Sequence, residues 1–206
     1  MSTMKSTTKL VNLALLIAVM LVLNFTNLGL ITIPFSPLKV TTLHIPVIIG
    51  ACLLGPRYGG ILGFFFGLLS FITHSFVAPV VTSFVFTPLY SLGDYHGNFW
   101  SLVICFVPRI LIGVFAGLLF QALTKRDKNT ALSAGAAGVV GSLTNTVLVL
   151  VGIALFFGQQ YATVKSGALL AIIMSTVVVN GIPEAIFAGL LTAVIVRPLL
   201  KLYARR

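Results

Sequence analysis

Long apolar runs, separated by short clusters of polar residues, glycines and prolines, extend along almost the whole chain. Crossing the hydrocarbon core of a membrane takes about 20 apolar residues, and most runs approach or exceed that length. The predicted helices are 10–31, 44–54, 61–76, 99–123, 131–157 and 167–200. The second is too short to cross unaided, so we expect it to be tilted or to be shielded by neighbouring helices, and to start below the membrane surface. The pattern predicts an all-α integral membrane protein, a six-transmembrane-helix bundle that forms a single membrane domain over 1–206.

Composition supports this class and excludes others. Of the 206 residues, 58% are hydrophobic and 8% are charged, and the mean hydropathy is +1.13. A soluble domain of this size cannot bury so many apolar side chains, which excludes a water-soluble enzyme. The net charge of +10 does not indicate nucleic-acid binding, because the basic residues stand at the ends of apolar runs. We expect them to face the anionic lipid bilayer surface on the cytoplasmic side.

The basic residues are divided unequally between the two sides of the predicted bundle. Lysine and arginine are retained preferentially on the cytoplasmic side of membranes. One side carries Lys5, Lys9, Arg57, Lys125, Arg126, Lys128, Arg197, Lys201, Arg205 and Arg206, and the other carries only Lys39 and Lys165. This bias predicts cytoplasmic N- and C-termini and an even number of spans. The structured external loops are then 32–43, 77–98 and 158–166, of which the longest is expected to act as a lid or binding element.

Arg109 stands apart from this pattern because it lies inside a predicted helix. A guanidinium within the membrane is costly unless it faces a wet cavity, a carboxylate or the bundle interior. One explanation is an ion pair with Glu184, or a side chain that extends toward the interface. The other is a binding site for an anionic or carbonyl-rich ligand, because arginine holds carboxylates through paired hydrogen bonds.

Three more polar residues lie near the middle of the last two predicted helices: Asn145, Asn180 and Glu184. The spacing of Asn180 and Glu184 puts them one turn apart on one helix face. Hydrogen bonding between helices is an alternative use for membrane asparagines. Together with Arg109, however, these are four polar groups at similar depth on three helices, which favours a shared substrate-binding site.

Aromatic residues crowd the external ends of the third and fourth predicted helices and the loop between them. An interfacial aromatic belt explains most of them. We expect His74, Tyr90 and Trp100 to be the members that line the pocket. The histidines lack the spacing of metal ligands, so no metal is expected.

Small residues recur at helical spacing in two predicted helices. Gly59, Gly63 and Gly67 would let helices approach closely within the bundle, whereas Ala14 and Ala18 would serve either internal packing or an external partner. The chain contains no P-loop sequence and no nucleophile or paired-carboxylate motif. We therefore predict no cofactor in this chain and no enzymatic activity.

Several motifs resemble those of a known family, the substrate-binding S components of energy-coupling-factor (ECF) vitamin transporters. Within that family the likeness is greatest to the pantothenate-specific type, and it covers essentially the whole chain. The motifs are Phe35-Ser36-Pro37 with His44-Ile45-Pro46-Val47-Ile48-Ile49-Gly50, Gly55-Pro56-Arg57-Tyr58-Gly59, and Phe99-Trp100-Ser101 leading into Val107-Pro108-Arg109-Ile110-Leu111-Ile112-Gly113.

The resemblance implies a set of partners and a location. The partners are a membrane coupling protein (T component) and two cytoplasmic ATPases (A components), which would hold the ATP, in a prokaryotic plasma membrane. By the same likeness, Ala14 and Ala18 would dock on the coupling protein, and the carrier would reorient in the bilayer to release its vitamin. Arg109 would hold the carboxylate of pantothenate, and Asn145 its amide or hydroxyl groups.

Other functions stay open at this point. Glu184 is not what an anion site alone requires, so the vitamin could be a pyridoxine-like or hydroxymethylpyrimidine-like compound. The chain could also be a self-sufficient secondary transporter with Glu184 as its proton site, although six helices without an evident inverted repeat are few for that mechanism. A membrane enzyme or a structural subunit is the remaining alternative.

Overall fold

The computed structural model describes residues 6–26, 29–32, 39–126 and 129–204. The predicted motif at 35–37 and the basic residues Lys5, Lys128, Arg205 and Arg206 lie outside these ranges. The α-helices over the described residues are α1 Ser6–Phe25, α2 His44–Leu54, α3 Pro56–Ile72, α4 Phe99–Arg126, α5 Thr130–Val164, α6 Leu169–Thr176 and α7 Ile182–Ala204.

Shorter elements connect or interrupt these helices. Single π-helical turns follow α3 at Thr73–Val77 and join α6 to α7 at Val177–Gly181, and a 3-10 turn occupies Ser83–Val85. Two antiparallel hairpins lie in the connections: β1 Leu30–Thr32 with β2 Lys39–Thr41, and β3 Ser91–Leu92 with β4 Tyr95–His96. The connections before α2 and before α4 therefore contain regular structure.

Among the described residues, five helical segments are long and apolar enough to cross a membrane: Ser6–Phe25, Pro56–Val77, Phe99–Arg126, Thr130–Val164 and Leu169–Leu202. The prediction of an all-α membrane protein is confirmed. The sixth predicted span, α2, has the predicted bounds but only 11 residues.

Neighbouring helices surround α2 on every side. All 11 of its residues are buried, and it contacts α1, α3, α4, α5 and α7. Its length is about 16 Å at the α-helical rise, roughly half of the ~30 Å hydrocarbon core. Because its surface meets protein and not lipid, so short a helix is compatible with a membrane protein.

The tightest helix pair is α3 with α4, and glycines make it possible. A Cβ atom at Gly59 would lie 2.6 Å from the carbonyl oxygen of Gly113, and one at Gly63 would overlap the carbonyl of Arg109. Backbones this close leave no room for a side chain. The glycine series of α3 therefore serves packing within the protein, and it fixes the backbone that carries Arg109.

Two predicted helix boundaries are wrong. The first helix ends at Phe25 and not at residue 31, because the following residues turn at Gly29 and enter β1. The third helix begins at Pro56, five residues earlier than predicted. Gly55 has φ +101°, which ends α2, and proline is favoured in the first turn of a helix, where no N–H partner is lost. The connection between α2 and α3 is thus a single glycine.

The last two predicted helices also differ from the prediction. The fifth predicted helix extends to Val164, so the predicted loop 158–166 shrinks to a short connection. The sixth predicted helix is α6, a π turn and α7. Pro183 explains the π turn, because it has no N–H to offer the carbonyl of Val179 and its ring crowds that carbonyl.

Candidate functional site

Arg109 is positioned by the proline that precedes it. In an α-helix the carbonyl of Ile104 would accept from the N–H of residue 108, but Pro108 has none. Nη1 of Arg109 donates to this carbonyl oxygen at 2.7 Å. The local sequence therefore frees an acceptor and supplies the donor that fills it, which folds the guanidinium back along α4.

The guanidinium lies in an aromatic environment with one donor unused. Arg109 is only 6% exposed, and its Cζ lies 5.7 Å from the ring centre of Phe66 and 5.0 Å from that of Phe86. Its Nε has no hydrogen-bond partner among the described residues. Aromatic faces attract a cation but accept no strong hydrogen bond, so the charge is held in place and its donor remains available.

His74 joins this cluster through Phe86. The two rings stack with centres 4.7 Å apart and planes 23° apart. Nδ1 of His74 is also hydrogen-bonded to Oγ of Ser83 at 3.0 Å, and that oxygen accepts from the N–H of Val80 at 2.8 Å. The connection 78–98 is therefore tied to the end of α3 directly beside Arg109.

A second hydrophobic core anchors the same connection. Phe84 and Val85 are fully buried against Ile104, Ile153 and Phe157. The hydroxyl of Ser101 donates to the carbonyl of Phe84 at 2.7 Å. Tyr90 is partly buried and packs against this core. It therefore lies in the same connection that places Phe86 over Arg109.

Asn145 lies on α5 with its amide oxygen buried. No described residue donates to this Oδ1. The depth of Asn145 follows from two close contacts between α5 and α4: a Cβ at Gly141 would lie 3.4 Å from Cβ of Ala116, and one at Gly152 would lie 2.8 Å from Cγ1 of Ile104. Asn145 on α5 and Arg109 on α4 both lie between these contacts, so the two share a depth in the bundle.

The π turn brings Asn180 to the same level. A Cβ at Gly181 would lie 2.9 Å from Cγ2 of Thr146. Asn180 immediately precedes Gly181, and Asn145 immediately precedes Thr146, so both asparagines lie next to this contact. Turns of this kind occur often at functional sites, where they redirect a side chain.

Glu184 follows in the first turn of α7 and is 8% exposed. It takes part in an interaction within the protein. The Arg109 guanidinium donates to the carbonyl of Ile104. Arg109 thus lies on α4, Asn145 on α5, Asn180 in the π turn and Glu184 in the first turn of α7.

Trp100 lies apart from these residues. It is 43% exposed, and its ring stacks on Phe156 with centres 4.0 Å and planes 8° apart. A hollow of about 380 Å³ near the end of α5 is lined by 154–160 and Leu169. None of the predicted site residues lines that hollow.

The outer face of α1 is exposed. Ala14 and Ala18 both lie on it, and Met20 is the buried residue of this helix. Asn24 fastens the end of α1 to the protein, because its Nδ2 donates to Oγ1 of Thr73 at 3.0 Å. The alanine face therefore points away from the bundle.

Sequence reasoning did not single out Phe66, Phe86 or Ser83 as parts of the site. Their roles depend on packing between α3, the connection 78–98 and α4, which local patterns do not reveal. The one local signal was Pro108, which lies four residues after Ile104, the residue whose carbonyl accepts from Arg109.

Comparison with known proteins agrees with the resemblance read from the motifs. The chain matches the family described as "ECF transporter, substrate-specific component" over residues 8–196. It is also 42% identical over 191 residues to the pantothenic acid transporter PanT of Lactococcus lactis subsp. cremoris (strain MG1363), a match that covers 92% of each chain. The chain therefore belongs to the family of substrate-specific components of ECF transporters, which makes it a multi-pass protein of the cell membrane with a role in vitamin uptake.

Proposed function

We propose that this protein captures pantothenate with high affinity for uptake, while ATP is hydrolysed on partner subunits. The observation that carries the proposal is the buried guanidinium of Arg109, whose Nε has no partner among the described residues. The name of the 42% identical relative from Lactococcus lactis supports the same vitamin.

Pantothenate suits the groups around Arg109. It carries one carboxylate, an amide and two hydroxyls, and it has no positive charge. The carboxylate would accept from Arg109, and a charge-assisted hydrogen bond is among the strong ones. Oδ1 of Asn145 would accept from a hydroxyl or from the amide N–H. The ligand would thereby satisfy two buried groups that the described residues leave open.

The remaining predicted residues have supporting roles in this proposal. Asn180 would extend the polar wall beside Asn145, and His74 would hold the aromatic cover in place through Phe86. Tyr90 and Trp100 would lie along the entrance. Glu184 already takes part in an interaction within the protein, so it would not need the ligand as a partner.

We also propose six membrane spans with both termini in the cytoplasm. The sixth span is α2, which is too short to face lipid but is enclosed by the bundle. With six spans, the excess of basic residues falls on the cytoplasmic side, as the retention of Lys and Arg there requires. The connection 78–98 and the cluster around Arg109 are then on the external half.

The partners would be a membrane coupling protein and two cytoplasmic ATPases. The sequence has no P-loop of its own, so energy would come from those subunits. The exposed alanines of α1 offer a flat apolar surface that a helix of the coupling protein can approach closely.

Calorimetry on the purified protein tests the ligand. The titrants are pantothenate, pyridoxine, a hydroxymethylpyrimidine and an unrelated vitamin, at one protein concentration. Pantothenate alone is expected to bind. Preferential binding of pyridoxine or the pyrimidine would instead favour a cationic or neutral ligand opposite Glu184.

Reconstitution tests the energy source. Proteoliposomes with this chain alone, and with an imposed proton gradient, are expected to accumulate no pantothenate. Liposomes that also contain the coupling protein and ATPases are expected to accumulate it when ATP is present. Uptake by the chain alone would contradict the proposal and would favour a proton-coupled carrier.

A further inference from the structure

His44 is a buried polar residue that the proposed site does not yet include. It is the first residue of α2, and it is 1% exposed. Neither ring nitrogen has a hydrogen-bond partner in the part of the chain that the structure describes. A neutral imidazole offers one donor and one acceptor, and leaving them unsatisfied inside a protein costs folding free energy. A bound molecule would recover that cost.

The directions of the helices place His44 on the same side as Asn145. From α2 to α5, each helix runs antiparallel to the one before it, so α2 and α5 are antiparallel to each other. The side chain of Ile48 lies 2.9 Å from where a Cβ of Gly141 would be. One helical turn away from this contact, in the same direction, are His44 on α2 and Asn145 on α5.

Helix α7 also packs against α2. The strand β2, which ends at Thr41, lies against α7, and α2 itself contacts both α5 and α7. The helix that begins with His44 therefore packs against both α5 and α7. Asn145 is on one of these helices, and Glu184 is on another.

We propose that the His44 imidazole hydrogen-bonds the hydroxyl groups of the bound vitamin, at the end opposite to the carboxylate. A hydroxyl group both donates and accepts, so it matches the donor and acceptor of a neutral imidazole. Arg109 and His44 would then read the two ends of one elongated ligand. This inference rests on the proposed function, because it takes pantothenate as the ligand.

Binding to two ligands separates the roles of the two residues. Panthenol keeps the hydroxyls of pantothenate and replaces its carboxylate by an alcohol. His44→Phe keeps a ring of similar size and removes both nitrogens. We expect it to weaken both ligands by about tenfold, the equivalent of one hydrogen bond, and to preserve the preference for pantothenate. Arg109→Gln is expected to abolish that preference.

Thermal unfolding without ligand distinguishes a binding role from a packing role. If the nitrogens of His44 are unsatisfied, His44→Phe keeps or raises the midpoint of unfolding. His44→Gln, which restores a donor and an acceptor, is expected to recover part of the affinity. Thr192→Val is the matched control, because Thr192 is fully buried on α7 with its hydroxyl also unpaired among the described residues. This variant is expected to leave affinity unchanged.

The possible outcomes separate the two proposals. Unchanged affinity of His44→Phe for both ligands overturns the role of His44 and leaves the proposed function intact. A loss of affinity that accompanies an equal loss of stability, without recovery in His44→Gln, assigns His44 to packing and overturns the inference too. Failure of the unaltered protein to bind pantothenate rejects the proposed function, and the role of His44 with it.

Discussion

Nη1 of Arg109 donates to the carbonyl oxygen of Ile104 at 2.7 Å, and Pro108 deprives that carbonyl of its helical donor. The bond satisfies one buried acceptor and leaves Nε of the guanidinium open. A charged group that the fold has oriented in advance, at little reorganisation cost, is well suited to bind an anion tightly. This pairing accounts for an arginine directly after a proline in an apolar stretch of α4.

Removing the charge of Arg109 should weaken pantothenate binding. Arg109→Ala is expected to cost about 2 kcal/mol or more in pantothenate binding, roughly 30-fold in Kd, which is typical for loss of one partner of a desolvated charged pair. Titration calorimetry measures it. Arg57→Ala is the matched control, because Arg57 is exposed at the start of α3. Equal affinities of the Arg109 variant and the unaltered protein would exclude Arg109 from the site.

Restoring the helical donor should disturb the guanidinium without removing it. Pro108→Ala supplies an N–H to the carbonyl of Ile104, so Arg109 loses sole use of that acceptor. We expect pantothenate affinity to fall a few-fold and the ligand-free protein to become more heat-stable, since proline is unfavourable inside helices.

Pro198→Ala is the control for this variant, because Pro198 lies inside α7 and the arginine beside it, Arg197, is exposed. It should change stability in the same direction and leave binding unaltered. If Pro108→Ala and Pro198→Ala both bind pantothenate as tightly as the unaltered protein does, the bond between Arg109 and Ile104 does not prepare the site.

Pantothenate affinity should depend on both the charge and the shape of the side chain at position 145. Asn145→Leu removes the buried acceptor and is expected to weaken pantothenate by about tenfold. Asn145→Asp is nearly isosteric but can add a negative charge near that of the ligand, so we expect a larger loss. Thr144→Val is the neighbouring control, because the Thr144 hydroxyl donates to Val140 of its own helix. A gain of affinity in Asn145→Asp would indicate a cationic ligand.

The membrane helices could be predicted from the sequence because apolar length alone specifies a span. The ends of α1 and α3 could not. The start of α3 depends on the positive φ of Gly55. The end of α1 depends on the pairing of β1 with β2, two strands that are not adjacent in the sequence. Hydropathy reports how apolar a segment is, and it does not report backbone conformation or long-range pairing.

Within the proposed site, residues whose chemistry is unusual for a membrane helix can be recognised from the sequence. Arg109 and Glu184 are charges within apolar runs, so they stand out without a structure. Phe86 and His44 are different, because an aromatic residue near the membrane surface and a histidine at a helix start are ordinary. Their importance depends on which groups they meet or fail to meet after folding.

The exposed face of α1 should matter for uptake and not for binding. Ala14→Leu and Ala18→Leu add bulk to an outward surface, so they would block close approach of a partner helix while leaving the vitamin site untouched. We expect calorimetry to return unaltered pantothenate affinity and reconstituted liposomes to lose ATP-dependent uptake. Ala171→Leu is the matched control, because Ala171 is an exposed alanine on α6, and it should retain uptake. Loss of binding in the α1 variants would instead show that this face supports the fold, and equal loss of uptake in the α6 variant would show that any added bulk at the lipid surface is harmful.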